Sequence, residues 1–140
     1  MRYEHTVDIA APPEVVWRVL ADVERWPEWT PTMTTVKALD PLPLRTGGRV
    51  QVQQPGLRPA VLVVKSIEEG RRFLWASKQA GLGFAADHVV TPTPEGSRVH
   101  LLAEFSGVLA PAVALIYGRK VRRFVTTEAE SLKRRAEASK

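Results

Sequence analysis

The chain of 140 residues is long enough for one domain with a single hydrophobic core. Its hydrophobic content of 44% and charged content of 25% are typical of a soluble globular protein. It has no cysteine, which excludes disulfides, thiolate metal sites and cysteine nucleophiles. It also lacks a signal peptide's apolar segment and any apolar run near the roughly 20 residues of a membrane span. We therefore expect one cytoplasmic domain over residues 1–140, without stable membrane insertion.

The net charge of +5 comes from the C-terminal segment. Residues 1–109 hold 12 Lys/Arg and 12 Asp/Glu, whereas residues 110–140 hold 8 Lys/Arg and 3 Asp/Glu. A basic helix can bind nucleic acid or an anionic membrane, but such a face is more often the solvated back of a core helix. No nucleic-acid motif accompanies the charge. We expect a solvated face and no nucleic-acid binding.

The first part of the chain predicts a strand followed by two short helices. Tyr3 to Ile9 alternates apolar and polar residues, as a half-buried strand does. Pro12 and Pro13 suit a first helical turn, after which valine and leucine residues supply an apolar face. A second short turn carries the chain to Trp26, and Pro27 ends it.

Six further strands are predicted, because alternating or β-branched segments recur between Gly- and Pro-rich turns. They lie at 32–40, 49–54, 60–67, 72–79, about 84–90 and 98–105. The β-branched run at 60–67 is compatible with burial on both faces. Phe73, Trp75, Ser77 and Gln79 share one face of their strand, as do Phe84, Ala86, His88 and Val90 on the next.

A single long helix is predicted from Ala110 to Lys140, with Pro111 in its first turn. An apolar stripe runs along it at spacings of three, four and seven, formed by Ala114, Tyr117, Val121, Val125, Leu132 and Ala136 and widened by Ile116 and Phe124. Gly118 costs about 1 kcal/mol relative to alanine inside a helix, so it indicates a kink or a close approach.

Several segments resemble the START-like, or Bet v 1-like (SRPBCC), superfamily. The resemblance lies chiefly in the run 9–17 leading into 22–29, Ile-Ala-Ala-Pro-Pro-Glu-Val-Val-Trp followed by Asp-Val-Glu-Arg-Trp-Pro-Glu-Trp. Further agreement comes from Gly48-Arg49-Val50, from 72–75 (Arg-Phe-Leu-Trp), and from 96–99 leading to 104–107. Within the superfamily, the chain is most similar to bacterial polyketide cyclase/dehydrase and lipid-transport proteins.

The resemblance implies an α+β helix-grip fold. In that fold a seven-stranded antiparallel sheet wraps around the long C-terminal helix, two short helices follow the first strand, and an apolar cavity lies between sheet and helix. It is much less specific for function, because the superfamily includes binders, transporters, cyclases and chaperone cofactors.

Candidate ligand-binding residues are those expected on the inward faces or at the mouth: Trp75, Phe84, His88, Tyr117, Trp29, Tyr3 and Ser77. For each of them, ordinary core or surface packing is the alternative. Trp29 is expected at the lid and Trp26 as the anchor of their shared loop. His88 is the candidate catalytic residue, able to donate to a carbonyl or move a proton, against the alternative of a core histidine bound to a neighbour.

No cofactor or metal ion is expected. Residues 81–86, Gly-Leu-Gly-Phe-Ala-Ala, match a dinucleotide-binding pattern, but strand alternation surrounds them where a helix is required. His5, His88 and His100 lie on separate predicted strands without ligand spacing.

Three functions remain open at the level of sequence. The leading one is binding of a hydrophobic or amphipathic small molecule, such as a lipid, quinone or polyketide-like compound, by a monomer or homodimer. The alternative is a polyketide aromatase/cyclase-type enzyme in which His88 and tyrosine hydroxyls act as acid and base. The third is an interaction module that uses the basic face of the last helix.

Overall fold

A computed structural model describes all residues from Met1 to Lys140. Seven strands form one sheet: β1 (Arg2–Ile9), β2 (Thr35–Ala38), β3 (Arg49–Gln53), β4 (Ala60–Glu68), β5 (Arg72–Gln79), β6 (Leu82–Thr93) and β7 (Gly96–Ser106). The helices are α1 (Pro13–Ala21), a 3-10 helix (Val23–Glu28) and α2 (Ala110–Ser139). The predicted order of one strand, two short helices, six strands and one long helix is confirmed.

The strands are antiparallel in the spatial order β1-β7-β6-β5-β4-β3-β2. Strands β2 to β7 therefore follow one another as neighbours, while β1 pairs with β7, with Tyr3 opposite Ala103 and Val7 opposite Val99. Because β1 and β2 lie at opposite edges, α1 and the 3-10 helix cross from one edge of the sheet to the other. This arrangement closes one end of the concave face.

A break in register bends the sheet in its middle. Pairing of β4 with β5 shifts between Val64 and Ser66, and such bulges increase local twist and curvature. Burial on β4 is one-sided: Leu62 and Val64 are buried, but Val61 is 44% exposed. The expectation that this strand is buried on both faces is wrong, because only its concave side is covered by other elements.

The C-terminal half of α2 is the core half. Ala129, Leu132 and Ala136 are fully buried and Val125 is nearly so. At the other end, Ile116 is 70% exposed, so the apolar stripe of the sequence is core only from its middle onward.

The position of Gly118 explains where α2 leaves the sheet. A Cβ atom there would lie 3.0 Å from the hydroxyl oxygen of Tyr3, the second residue of β1, so the predicted close approach is confirmed. The helical turns before Gly118 extend past the end of that strand and have little to pack against.

The charged side chains of the last turns of α2 form pairs within the chain. Lys133 contacts Glu137, and Arg135 lies 3.0 Å from Glu28 at the end of the 3-10 helix. None of the helices has an apolar stretch long enough to cross a bilayer.

The two short helices position an aromatic residue over the sheet. Val16 and Leu20 of α1 are fully buried, and the Leu20 carbonyl accepts a hydrogen bond of 2.9 Å from the indole Nε1 of Trp26. This bond satisfies the buried indole N–H and fixes the Trp26 ring above the middle strands.

Candidate functional site

A cavity of about 220 Å³ lies between the concave face of the sheet and α2. Its walls are mostly apolar and come from strands β3 to β7 and the middle of α2. The sheet contributes, among others, Trp75, Ser77, Phe84, Ala86, His88, Leu101, Ala103 and Phe105, and the helix contributes Val121, Phe124, Val125 and Glu128. A chamber of this size is too large to be a packing defect, since roughly 150 Å³ already accommodates benzene in an apolar cavity.

Strand register brings the sequence-predicted wall together. Trp75 on β5 is directly opposite Ala86 on β6, and Ser77 is opposite Phe84. Alternation along each strand then directs all four toward the cavity, with His88 two residues further along β6. These positions follow from the period of two, and a role in ligand binding remains a prediction for each.

Exposed polar residues mark the opening of the cavity. Arg58, in the connection between β3 and β4, and Gln79, at the end of β5, line it while being exposed to solvent. Gln54 and Leu57 line the same end. The cavity is therefore reached from the end of the sheet where these two hairpins turn.

His88 is at the closed end and is buried, with 2% of its surface exposed. Its Nδ1 lies 3.1 Å from the Phe73 carbonyl oxygen, which can only accept, so Nδ1 carries the hydrogen. Burial lowers the pKa of His88 from 6.5 to about 4. At neutral pH the ring is therefore uncharged, and its Nε2 is a free hydrogen-bond acceptor.

Aromatic rings hold the imidazole in place. It stacks on Phe73 with centroids 4.1 Å apart and planes 13° from parallel, and it meets Trp26 and Trp75 edge-on at 5.6 and 5.4 Å. This surrounding agrees with the core-histidine alternative for Nδ1, while Nε2 forms no hydrogen bond within the chain. The ring is therefore held rigidly and is neutral, and only its Nδ1 forms a hydrogen bond.

Glu128 faces the same cavity from α2. Its Oε1 is buried and has no hydrogen-bond partner, and the side chain forms no salt bridge. Burial raises the pKa of Glu128 from 4.5 to about 8, so the carboxyl is protonated at neutral pH. Buried carboxyl groups are normally paired, and an unpaired one that lines a cavity is a candidate functional group.

A family model described as polyketide cyclase / dehydrase and lipid transport matches residues 1–137. The chain belongs to this family. Two proteins similar to it in sequence are the uncharacterized proteins Rv2574 of Mycobacterium tuberculosis and Mb2604 of Mycobacterium bovis. Each is 31% identical in an alignment of 117 residues that covers 79% of this chain and 70% of the relative.

Solved structures with the same fold include hypothetical protein jhp0584 from Helicobacter pylori, with a TM-score of 0.82 at 16% identity over 97% of this chain and 88% of that one. Ara h 8.0201 gives 0.76 at 11% identity over 99% and 98%. The di-domain ARO/CYC BexL from the BE-7585A biosynthetic pathway gives 0.74 at 20% identity, over 98% of this chain and 46% of BexL. These likenesses confirm the predicted helix-grip fold.

Three residues that the sequence predicted for the ligand site do not line the cavity of this family member: Tyr117, Tyr3 and Trp29. Tyr117 is 40% exposed and does not line the cavity, because α2 has left the sheet at that point. Tyr3 is buried against Phe105 and Gly118, so its hydroxyl meets the helix backbone. Both tyrosines are therefore unavailable as acids in this chamber.

Trp29 is also misplaced by the sequence prediction. It packs against Trp26 with centroids 5.4 Å apart and lines a separate cleft beside α1, with Val15 and Arg135. That cleft lies at the C-terminal end of α2, so Trp29 is not a lid over the cavity of this family member. Trp26, predicted as a loop anchor, contacts His88, as Trp75 does.

Sequence reasoning missed Glu128, although a signal was present. Val121, Val125, Glu128 and Leu132 follow spacings of four, three and four, so the carboxylate interrupts the apolar stripe. An acidic residue in register with a core face predicts a buried carboxyl. The sequence prediction counted Glu128 only as part of the charge balance.

The other acidic side chain that lines the cavity is paired with an arginine. Asp87 accepts hydrogen bonds from both Nε and Nη2 of Arg72 at 3.0 to 3.2 Å.

No group of three His, Asp or Glu side chains is gathered closely enough to hold a metal ion. Residues 82–86 of the glycine motif run as strand β6, so no helix N-terminus is available to hold a pyrophosphate.

Proposed function

We propose that this protein binds a small, largely apolar molecule in the cavity between the sheet and α2. The observation that carries the proposal is the chamber of about 220 Å³ with apolar walls, two unpartnered polar groups and an opening beside Arg58 and Gln79. Ligand sites are generally concave, mostly apolar and provided with few polar groups. Membership of a family described by lipid transport and polyketide chemistry supports the same function.

The volume favours a compact ligand. Sites for drug-sized molecules measure roughly 300–1,000 Å³, so a chamber of about 220 Å³ suits one or two rings or a short chain. Among the lipid, quinone and polyketide-like candidates, the smaller members fit best. A long acyl chain fits only if part of it extends through the opening.

Binding can be tested with the bicyclic hydrocarbon tetralin and its ketone 1-tetralone, measured by isothermal titration calorimetry. Ala86→Phe places a ring in the chamber, whereas Ala85→Phe makes the same change on the preceding residue of β6, which does not line the cavity. Saturable binding that Ala86→Phe weakens at least tenfold and Ala85→Phe leaves unchanged supports the proposal. Absence of saturable binding, or equal effects of both changes, contradicts it.

Tryptophan fluorescence gives a second measurement. Trp75 is on the cavity wall, so 1-tetralone, an aromatic ketone, is expected to quench its emission on binding. Trp75→Phe should remove most of the change, although Trp26 lies only 5.3 Å from Trp75 and shares the environment. Quenching that persists unchanged in Trp75→Phe contradicts binding at this site.

A cyclase-type activity is the second candidate, favoured by the free Nε2 of His88 in the same chamber as the Glu128 carboxyl. A positioned acid or base contributes about 10²–10⁴-fold to a rate. If the protein is a cyclase, His88→Gln should reduce turnover of a poly-β-ketone analogue by that factor while leaving its affinity within about tenfold. Binding is the better supported function, because a base with a pKa near 4 is poorly matched to neutral pH.

A further inference from the structure

Glu128 is the one acid in the cavity that the fold leaves without a partner. Asp87 is held by Arg72, whereas Oε1 of Glu128 is buried, accepts no hydrogen bond and lies against apolar walls. Burying a polar group without a partner costs roughly 1–3 kcal/mol in proteins. The cost disappears when a bound molecule supplies the partner.

We propose that the cavity selects an uncharged apolar ligand that carries a carbonyl oxygen, which accepts a hydrogen bond from the protonated carboxyl of Glu128. This inference rests on the proposed ligand-binding function and adds the chemical class of the ligand. The carbonyl-bearing end would lie at the middle of α2, and the apolar remainder against β5, β6 and β7. Glu128 would then be a specificity determinant rather than a catalytic residue.

The protonated form follows from the absence of a positive charge near Glu128. From the sheet, His88 is neutral with its Nδ1 hydrogen on Phe73, and Asp87 is itself acidic and paired. From β1, His5 lies 3.3 Å from a different carboxylate, that of Glu130. The only cation among the lining residues is Arg58, which is exposed at the opening.

Two basic residues of α2 itself, Lys120 and Arg122, lie against aromatic rings. Lys120 lies over the Phe124 ring at 5.7 Å, and Arg122 lies over the Tyr3 ring at 5.6 Å. Neither forms a salt bridge with Glu128. Burial without a counter-ion disfavours the charged carboxylate, which is why the pKa of Glu128 is raised to about 8.

A protonated carboxyl donates one hydrogen bond, and this decides among ligand classes. A ligand carboxylate placed beside Glu128 would have to leave water without meeting a cation, which is costly. An amine would have to ionise Glu128 and form a buried ion pair, whose desolvation penalty commonly offsets its attraction. A carbonyl accepts the available hydrogen without either cost.

The test compares tetralin, 1-tetralone and the amine 2-aminotetralin, three bicyclic probes of similar size. Affinities are measured by calorimetry at pH 6.5 and pH 9.5 on the wild type, Glu128→Gln and Glu128→Leu. Glutamine is a neutral donor at both pH values, and leucine keeps the apolar volume without a donor. Circular dichroism on each variant verifies that it is folded at both pH values.

The wild type should bind 1-tetralone about tenfold more tightly than tetralin at pH 6.5, which corresponds to one net hydrogen bond of about 1.4 kcal/mol. The preference should vanish at pH 9.5, where Glu128 is ionised. Glu128→Gln should retain it at both pH values, and Glu128→Leu should lose it at both while still binding tetralin.

Equal affinities for tetralin and 1-tetralone in the folded wild type at pH 6.5 would overturn the inference while leaving ligand binding intact. Tightest binding of 2-aminotetralin, lost in Glu128→Gln, would also overturn it, because Glu128 would then be an ionised partner for a cation. If none of the three probes binds the folded wild type, the proposed function itself fails.

Discussion

Raising the pH from 6.5 to 8 should destabilise this protein, and the group responsible is Glu128. Its pKa is 4.5 as an ordinary side chain and about 8 in the folded state. Between these values the folded protein holds a proton that the unfolded chain has released. Stability therefore falls as pH rises through this range, because the unfolded state gains relative to the folded one.

His88 has the opposite sign. Its pKa falls from 6.5 to about 4 on folding, so between these values the unfolded chain holds the extra proton. Its contribution to stability is complete above pH 6.5 and is lost as pH falls toward 4. From pH 4.5 to 6.5 the two groups cancel, one proton in each state, and a stability plateau is expected there.

Above pH 6.5 only Glu128 acts. From pH 6.5 to about 8 its ionisation is disfavoured over roughly 1.5 pH units, and one unit corresponds to about 1.4 kcal/mol. The expected loss is about 2 kcal/mol, a large share of a typical stability of roughly 5–15 kcal/mol. Ligand binding to the protonated acid would add to this pH dependence, so the measurement uses protein freed of any bound small molecule.

Urea denaturation at pH 5, 6.5 and 8, followed by circular dichroism, measures the effect. The wild type should be equally stable at pH 5 and 6.5 and less stable at pH 8. Glu128→Gln, which cannot ionise, should remove the loss, and Glu95→Gln, on the exposed turn between β6 and β7, should leave it. A loss of the same size in Glu128→Gln would refute the reasoning, as would a wild type that is no weaker at pH 8.

Three further changes test the fold. Leu132→Ala should lower the free energy of unfolding by about 2–5 kcal/mol in urea denaturation, since Leu132 is fully buried. The control Leu115→Ala, at a position 87% exposed, should change it by less than about 0.5 kcal/mol. Equal denaturation midpoints for the two variants would contradict the core assignment of α2. Gly118→Ala should stabilise the Tyr3→Phe variant by about 1 kcal/mol, because alanine has the higher helix propensity. In the wild type the gain should be smaller, because the new Cβ meets the Tyr3 hydroxyl. The same gain in both proteins would rule out the close approach. Arg123→Glu should leave stability within about 0.5 kcal/mol, as expected of an exposed side chain without an ion pair; steeply salt-dependent RNA binding that this change abolishes would show that the basic face is not merely solvated.

The sequence determined which residues share a face, because that information is local. A period of two places Trp75 with Ser77 and Phe84 with His88, and it does so whatever lies opposite. The order of strands and helices follows from the same patterns and from the turn residues between them. Together with the resemblance of residues 9–29, they were sufficient for the helix-grip fold.

The tertiary structure decided how far each element is covered. Tyr117 continues the apolar stripe of α2 as well as Val125 does, and only the end of β1 at Tyr3 determines that the first is exposed and the second buried. Trp26 and Trp29 are three residues apart on one short segment. Which of them contacts His88 and which lines the far cleft depends on how α1 crosses the sheet.

Glu128 shows both contributions at once. Its place in the stripe is readable from spacing, but its protonation depends on which charges surround it in space. Arg122 and Lys120 are on the same helix, yet both side chains lie over aromatic rings and neither pairs with the carboxyl. Coulombic attraction and desolvation depend on distances across the fold, and these distances are set only when the sheet closes around α2.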